Sequence, residues 1–226
     1  MRTVLFRNRR DAGQQLAERV AAETLSEPLV LALPRGGVPV AFEVARRLDV
    51  PLDVFVVRKL GVPGREELAM GALASGGVRV LNPDVVSSLR IPERLIHQVA
   101  AAEEVELRRR EQAYRAGRPA PDVSGRTVVL VDDGLATGAT MRAAVRALRA
   151  VGAGRVVVAV PVGAPATCQE IAAEADEVIC LAAPDTLSSV GQWYADFSQT
   201  SDDEVRALLA QSRQAETRGP VASKVP

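Results

Sequence analysis

Five short apolar runs alternate with amphipathic segments along the chain. Runs of this kind, with few polar positions, are typical of parallel strands that are covered on both faces. They occupy residues 29–33, 53–57, 127–131, 155–160 and 177–181. Apolar residues at helical spacing predict the helices 11–24, 39–48, 92–114, 141–150, 166–173 and 202–210. Because alternating strands and helices form right-handed βαβ units, the sequence predicts an α/β fold, a parallel, Rossmann-like sheet of about five strands flanked by helices.

The glycine-rich stretch 60–77 interrupts this alternation. Its glycines and proline predict a flexible loop, followed by a β-hairpin of residues 69–74 and 78–81 around a Ser-Gly-Gly turn. At the other end of the chain, residues 211–226 are polar, and this composition predicts a disordered tail.

The composition is that of a globular protein and disfavours several functional classes. The chain has 226 residues, of which 47% are hydrophobic and 25% are charged, so it can form a sizeable core. Its 28 basic and 28 acidic residues cancel and only 3% are aromatic, so binding to nucleic acid through a basic surface or stacked rings is not expected. No apolar run approaches the roughly 20 residues that span a bilayer, and no secretion signal is visible. We expect a cytoplasmic protein with two reduced cysteines, Cys168 and Cys180.

Three segments rich in glycine or charge directly follow predicted strands. They are 34–37, 58–59 and 132–140. In an open parallel sheet, ligands bind beyond the carboxyl ends of the strands. We therefore expect the three segments to share one edge of the sheet and to form one site.

The segment 132–140 carries the most specific pattern. Two carboxylates, Asp132 and Asp133, stand at a strand end, and a loop of small residues follows before a helix: Ala136, Thr137, Gly138, Ala139 and Thr140. Closely spaced backbone N–H groups, hydroxyls and a helix N-terminus suit a phosphate monoester. The carboxylates can accept from vicinal hydroxyls, so the segment describes a ribose 5-phosphate site. A plain turn with a capping aspartate explains one carboxylate but not the whole pattern.

This pattern resembles the signature of the type I phosphoribosyltransferases, in which an apolar strand leads into two acidic residues and a Thr/Gly-rich phosphate loop. Residues 129–140 read VLVDDGLATGAT, and Gly134 is a departure, since an aliphatic residue is usual there. The motifs PRGGVP at 34–39 and GQWYADF at 191–197 resemble a bacterial subfamily of predicted phosphoribosyltransferases of undefined substrate. The resemblance extends over residues 6–209.

The resemblance implies a co-substrate, a metal and a reaction. Members of the family bind 5-phosphoribosyl 1-pyrophosphate (PRPP) with Mg²⁺ and transfer the phosphoribosyl group to a nitrogenous acceptor, releasing pyrophosphate. By analogy, residues 136–140 hold the 5-phosphate, and Asp132 and Asp133 hold the ribose hydroxyls. The two aspartates are also expected near the metal, directly or through water or PRPP, since Mg²⁺ prefers carboxylate and phosphate oxygens.

The same resemblance implies a domain layout. A phosphoribosyltransferase domain over 1–210 would have its core at about 25–181. A small C-terminal hood would form from the N-terminal segment and residues 182–210. The tail 211–226 would follow this domain.

Basic residues in the other two segments complete the expected site. Arg35, Gly36 and Gly37 match the family's pyrophosphate loop, because glycines let backbone N–H groups approach an anion and arginine supplies a forked cation. Arg58 and Lys59 precede the stretch where the family carries a mobile loop that closes over the reaction centre and excludes water. By this analogy Arg35, Lys59 and the two aspartates are catalytic. The alternatives are a plain turn with a surface arginine and a solvated basic pair.

The sequence does not identify the acceptor. Enzymes for 6-oxopurines commonly carry aspartate at the first position of the phosphate loop, so Ala136 disfavours hypoxanthine and guanine. In the hood, Trp193, Tyr194 and Phe197 either stack on an acceptor ring or form a small core of their own.

Three alternatives stay open at the level of the whole protein. A non-catalytic PRPP-sensing regulator would keep the same fold and site without turnover. The basic segment 108–115 could supply a local patch for RNA, although nearby glutamates favour a solvated helix face. A homodimer is also open, whereas a membrane partner is not expected.

Overall fold

A computed structural model describes residues 4–218 of the chain. In chain order the strands are β1 (Pro28–Ala32), β2 (Leu52–Val54), β3 (Val57–Val62), β4 (Arg65–Ala74), β5 (Val78–Leu81), β6 (Thr127–Val131), β7 (Arg155–Val162) and β8 (Glu177–Ala182). The helices are α1 (Arg9–Ala21), α2 (Gly37–Leu48), α3 (Pro83–Ser88), α4 (Glu93–Arg115), α5 (Ala139–Ala150), α6 (Pro165–Ala172) and α7 (Asp202–Arg218).

The central sheet is built from the five apolar runs. Its strands are all parallel and lie in the order β2-β1-β6-β7-β8. Val128, Val129 and Leu130 of β6 have no exposed surface, as expected of a strand covered on both faces. β1 and β6 pair in register up to Ala32 and Val131, so the two strands end side by side. The predicted α/β fold is confirmed, and these two strand ends form the edge that carries the site.

The glycine-rich stretch is a second sheet. β3, β4 and β5 are antiparallel neighbours in that order. The predicted hairpin 69–74/78–81 is confirmed as β4 and β5. The prediction of an irregular loop before this hairpin is wrong, because β3 and β4 pair along their length around a turn at Pro63 and Gly64. Gly64 has φ +76°, a conformation that glycine adopts without steric cost.

This second sheet changes the placement of the basic pair. The strand predicted over 53–57 ends earlier, since β2 stops at Val54. Arg58 and Lys59 therefore lie on β3 rather than at the end of a parallel strand. Neighbouring residues of a strand point to opposite faces of their sheet, so the two side chains diverge.

The N-terminal segment and residues 182–200 pack together as a small unit. Phe6 and Tyr194 form a parallel β-bridge, and their ring centroids are 5.4 Å apart. The Tyr194 and Phe197 rings are 4.9 Å apart, and Trp193 is half-buried against the same cluster. Of the two roles considered for these aromatic residues, the structure shows the hood core.

The helices follow the predictions closely except that α3 was not predicted and that α7 is longer than predicted. α7 continues to Arg218, so the prediction of a disordered tail is wrong for residues 211–218, where Ser212 is buried. This stretch is polar, but Gln, Ala, Glu and Arg are good helix formers. Residues 219–226 of the predicted tail lie outside the described part of the chain. None of the helices within residues 4–218 is long and apolar enough to cross a membrane.

Candidate functional site

The turn after β1 packs directly against the end of β6. A Cβ on Gly36 would collide with the Asp133 carboxylate, and a Cβ on Gly37 would lie 2.7 Å from the carbonyl oxygen of Val131. Only glycine permits this approach, because any side chain would push the two segments apart. The segment predicted to bind pyrophosphate and the acidic pair therefore meet at one edge of the sheet.

The small-residue loop after the acidic pair leads into α5 and leaves its first N–H groups uncapped. Gly138, with φ +69°, precedes the helix, and no side chain caps it. Ala136 and Thr137 are exposed. From behind, the Thr167 hydroxyl on α6 donates to the Ala136 carbonyl at 2.7 Å. Uncapped N–H groups at an exposed helix N-terminus suit an anion, which agrees with the phosphate loop expected from the sequence.

Asp132 and Asp133 are half-buried at the mouth of the site. The Asp133 N–H donates to Asp132 Oδ1 at 2.9 Å. Burial raises the pKa of Asp132 well above its usual range, and the neighbouring Asp133 charge adds to the rise. Burial also raises the pKa of Asp133, while Arg9 opposes that rise. Two crowded carboxylates of this kind are stabilised by hydroxyl donors or by a cation placed against them.

Arg9 is the site residue that the sequence did not indicate. Its Nε donates to Asp133 Oδ2 at 2.7 Å, and its Nη1 donates to the Ser198 carbonyl at 2.7 Å. Its guanidinium carbon lies 3.8 Å from the centroid of the Phe197 ring. The Arg9 side chain, only 12% exposed, thus connects the hood to the acidic pair. It is 124 residues away from Asp133 along the chain, so no local pattern could predict this ion pair.

The hood also accounts for Gly134, the departure from the family signature. A Cβ on Gly134 would collide with the side chain of Val190, so the hood occupies the space that an aliphatic residue would need. Tyr194 adds a second contact, since its hydroxyl donates to the Asp133 carbonyl at 2.6 Å. The loop after β6 is therefore fixed from the hood side as well as from α6.

Arg35 lies at the turn after β1, with a weak partner. The peptide bond between Pro34 and Arg35 is cis. The Arg35 Nη1 is 3.9 Å from Asp202 Oδ1, and the two side chains are 36% and 44% exposed. Exposed ion pairs at this distance contribute little. The guanidinium is therefore available to an anionic ligand.

Arg58 and Lys59 lie on opposite faces of the second sheet and have different surroundings. Arg58 pairs with Glu103 of α4 at 2.6 Å, and both side chains are mostly buried. Lys59 faces the exposed Glu67 at 3.3 Å and lines a cleft of about 230 Å³ between the second sheet and α5. Thr140 lines the same cleft. Of the two predicted residues, Lys59 lies beside the end of the loop 136–140 and Arg58 is engaged with α4.

The basic segment 108–115 has local partners. Arg108, Arg109 and Arg110 pair with glutamates one turn earlier on α4. Arg115 is 5% exposed and donates to the Asp53 carboxylate at 3.1 Å. Three of these arginines thus form a solvated helix face, and the fourth anchors α4 to β2.

The described residues contain no ready-made metal cage. Within 4–218, no group of three or more His, Cys, Asp or Glu side chains is placed to hold a metal ion. Asp132 and Asp133 supply two carboxylates, one of which is already paired with Arg9. Such a donor set fits a Mg²⁺ ion only if a ligand and water supply most of its oxygens.

The family of this protein is shown by a match that extends over most of the chain. The family model of the phosphoribosyl transferase domain matches residues 7–197. The chain belongs to the phosphoribosyl transferase family. Its parallel sheet with flanking helices is the α/β fold of the type I phosphoribosyltransferases, and the matched residues include the glycine turn, the acidic pair and the phosphate loop.

Two relatives are similar over most of this phosphoribosyl transferase domain. A Mycobacterium tuberculosis protein named "Putative phosphoribosyl transferase" is 53% identical over 205 residues, which make up 91% of this chain and 46% of that protein. The chain thus spans about half the length of the curated relatives it matches. The crystal structure of a Thermus thermophilus protein is 47% identical with a TM-score of 0.82, covering 91% of this chain and 98% of the other.

Proposed function

We propose that this domain binds PRPP with Mg²⁺ and transfers the 5-phosphoribosyl group to a nitrogenous acceptor, with release of pyrophosphate. The observation that carries the proposal is the meeting of three elements at one sheet edge. The glycine turn after β1, the acidic pair after β6 and the uncapped start of α5 are adjacent there. PRPP has a matching sequence of groups, namely a pyrophosphate, vicinal ribose hydroxyls and a 5-phosphate.

The 5-phosphate and the ribose are assigned to the β6–α5 connection. Backbone N–H groups of residues 136–140 and the hydroxyls of Thr137 and Thr140 would donate to the phosphate oxygens. Asp132 and Asp133 would accept from the ribose hydroxyls. These carboxylates would lie near the ring carbon where positive charge develops when pyrophosphate leaves, so they would favour an oxocarbenium-like state.

The pyrophosphate is assigned to the turn after β1. The close approach of Gly36 and Gly37 to β6 brings this turn beside the acidic pair, and Arg35 supplies a positive charge there. Its weak pairing with Asp202 can be exchanged for a stronger charge-assisted contact with the leaving group. Bound Mg²⁺ would supply further positive charge to the pyrophosphate, held by ligand oxygens next to Asp132 and Asp133.

The acceptor is proposed only as a nucleobase-like nitrogenous compound. No carboxylate stands at the first position of the phosphate loop, where Ala136 is exposed, so a proton on a 6-oxopurine has no obvious partner there. Tyr194 and Phe197 pack in the hood core and Trp193 is half-buried against it, so none of the three rings is assigned to the acceptor.

The test is a pyrophosphate-release screen with PRPP, Mg²⁺ and a panel of nucleobases and small amines. Release that depends on one acceptor supports the proposal and identifies the substrate. Tight PRPP binding without release from any acceptor would contradict transferase activity and favour the PRPP-sensing regulator. Absence of PRPP binding would contradict both functions.

Arg35→Ala and Lys59→Ala are expected to distinguish contacts with the pyrophosphate of PRPP from contacts with its 5-phosphate. Arg35→Ala should lower PRPP affinity by about tenfold to a hundredfold and leave ribose 5-phosphate affinity nearly unchanged, because ribose 5-phosphate has no pyrophosphate. Lys59→Ala should weaken both ligands, since Lys59 shares its cleft with Thr140. Calorimetric titration with both ligands measures this. Equal losses for both ligands in Arg35→Ala would remove Arg35 from the pyrophosphate site.

Thr137→Val is expected to weaken ribose 5-phosphate and PRPP alike. The substitution removes an exposed hydroxyl and keeps the side-chain shape, so the loss should be about fivefold to tenfold for each ligand. Thr24→Val, an exposed threonine after α1, is the matched control and should change neither affinity. Unchanged binding in Thr137→Val would argue against a phosphate contact at this residue.

A further inference from the structure

Two cysteines from different elements meet behind the phosphate loop. Cys168 lies on α6 and Cys180 on β8, and both are free and half-buried. The position that a Cβ on Gly163 would occupy lies 2.6 Å from the Cys168 sulfur and 3.3 Å from the Cys180 sulfur. Both sulfurs therefore contact the same small space, which Gly163 leaves open for them to approach each other.

This space adjoins the backbone that leads into the phosphate loop. The Leu135 Cβ is 3.2 Å from the same point. The Leu135 N–H donates to the Val162 carbonyl at 2.8 Å, and the Ala164 N–H donates to the Leu135 carbonyl at 2.9 Å. Thr167, the residue before Cys168, holds the Ala136 carbonyl. The hydroxyl that contacts the loop and the Cys168 sulfur therefore belong to consecutive residues of α6.

The two thiols differ in character. Contact with Cys180 lowers the pKa of the Cys168 thiol, which favours its reactive thiolate form. The Cys168 partner and burial raise the pKa of Cys180, whose sulfur lies 3.1 Å from the Ala182 carbonyl. A partly exposed thiol beside a second thiol is the arrangement of a reactive cysteine and a resolving cysteine.

We propose that Cys168 and Cys180 form a reversible intramolecular disulfide when a peroxide oxidises Cys168, and that this bond weakens phosphate binding at the loop 136–140. The Cys168 sulfur attacks a peroxide oxygen, so that an S–O bond forms and the O–O bond breaks. Cys180 then attacks the Cys168 sulfur, forming the S–S bond and expelling the oxygen as water. The two thiols lose two electrons and two protons, and hydrogen peroxide becomes two water molecules.

Disulfide formation would shift the loop through α6. An S–S bond is about 2.05 Å long, shorter than any contact between free thiols, so Cys168 must move towards β8. Thr167 moves with it and carries the Ala136 carbonyl that it holds. Displacing binding groups by about 1 Å can cost a hundredfold in function. This second half of the proposal rests on the proposed function, because it assumes that the loop binds phosphate.

The experiment treats the reduced 226-residue chain with hydrogen peroxide. The intact mass should fall by two hydrogens. After cleavage at Glu170, Glu174 and Glu177, the peptide that contains Cys168 should stay linked to the peptide that contains Cys180 until a reductant is added. The affinity for ribose 5-phosphate should fall by about tenfold or more and recover on reduction. Cys168→Ser and Cys180→Ser should form no intramolecular disulfide and should keep their ribose 5-phosphate affinity after peroxide treatment.

Three results would overturn the proposal. These are unlinked peptides, a disulfide between two chains, or a linked protein whose ribose 5-phosphate affinity is unchanged. If the reduced protein does not bind ribose 5-phosphate at all, the proposed function fails separately. Hydrogen–deuterium exchange of the amides 136–140 then tests the coupling without a ligand. It should increase in the oxidised protein, and unchanged exchange would refute the coupling.

Discussion

The double substitution Asp132→Asn plus Asp133→Asn is expected to reduce PRPP affinity by at least about a hundredfold while the fold survives. Two charge-assisted hydrogen bonds to ribose hydroxyls, each worth about 1.5–3 kcal/mol, would be replaced by weaker neutral ones. Asparagine keeps the side-chain shape, and it removes the repulsion between two half-buried carboxylates. Calorimetry with PRPP and Mg²⁺ measures the affinity, and thermal unfolding shows whether the variant remains folded.

A matched control removes the same charge elsewhere. Asp84 and Asp122 are exposed, and Asp122 precedes β6, at the opposite edge of the sheet. The double variant Asp84→Asn plus Asp122→Asn should bind PRPP as the unmodified protein does. PRPP binding that survives in a folded Asp132→Asn plus Asp133→Asn variant would refute the assignment of the ribose hydroxyls to this pair.

Arg9→Met is expected to weaken PRPP binding by about tenfold or more. The substitution removes the cation that pairs with Asp133 at 2.7 Å and leaves a half-buried carboxylate without its orienting partner. It also removes positive charge next to Gly36, because the Arg9 Nε is 3.3 Å from the position of a Cβ there. Arg9→Lys should recover part of the affinity, since an ammonium group can still pair with Asp133.

Arg10 provides the control for this second prediction. It is the next residue on α1, is 72% exposed and pairs with Glu43 rather than with the site. Arg10→Met should leave PRPP affinity unchanged. If Arg9 merely stabilised the hood, Arg9→Met would lower the unfolding temperature without a loss of PRPP affinity in the protein that remains folded at the assay temperature.

The parallel sheet and the small-residue loop before α5 could be predicted because their signals are local. A continuous apolar run such as Thr127–Val131 suits a doubly covered strand, and the chemistry that follows it is contiguous. The meeting of the glycine turn with Asp133 followed from a general property of parallel sheets, that ligand-binding segments lie at the carboxyl ends of strands. The fold class and the position of the candidate site therefore needed no long-range information.

Strand β3 and the first half of β4 were missed because glycine obscures strand patterns. Gly61 reads as a loop residue, yet it lies in β3, where a Cβ would come within 2.8 Å of the Glu66 carbonyl oxygen on β4. Arg58 and Lys59 were consequently predicted to act together, although a strand directs them to opposite faces. The sequence carries no marker for such close strand contacts.

Arg9 was missed for a different reason. Its contacts to Asp133, Ser198 and Phe197 join segments that are far apart in sequence. A single arginine near the N-terminus gives no indication of its partner, because exposed arginines are common. Only the packing of the N-terminal segment on the hood brings this cation to the acidic pair.

The contact between Gly134 and Val190 couples two positions that are 56 residues apart in the printed sequence. One small volume is shared between them, and it can be filled from the β6 loop or from the hood, but not from both. Homologous proteins with an aliphatic residue in the signature should therefore carry a smaller residue, or a displaced backbone, at the position of Val190. In an alignment the two columns should covary in size, and a large residue grafted at position 134 would require a compensating reduction at position 190.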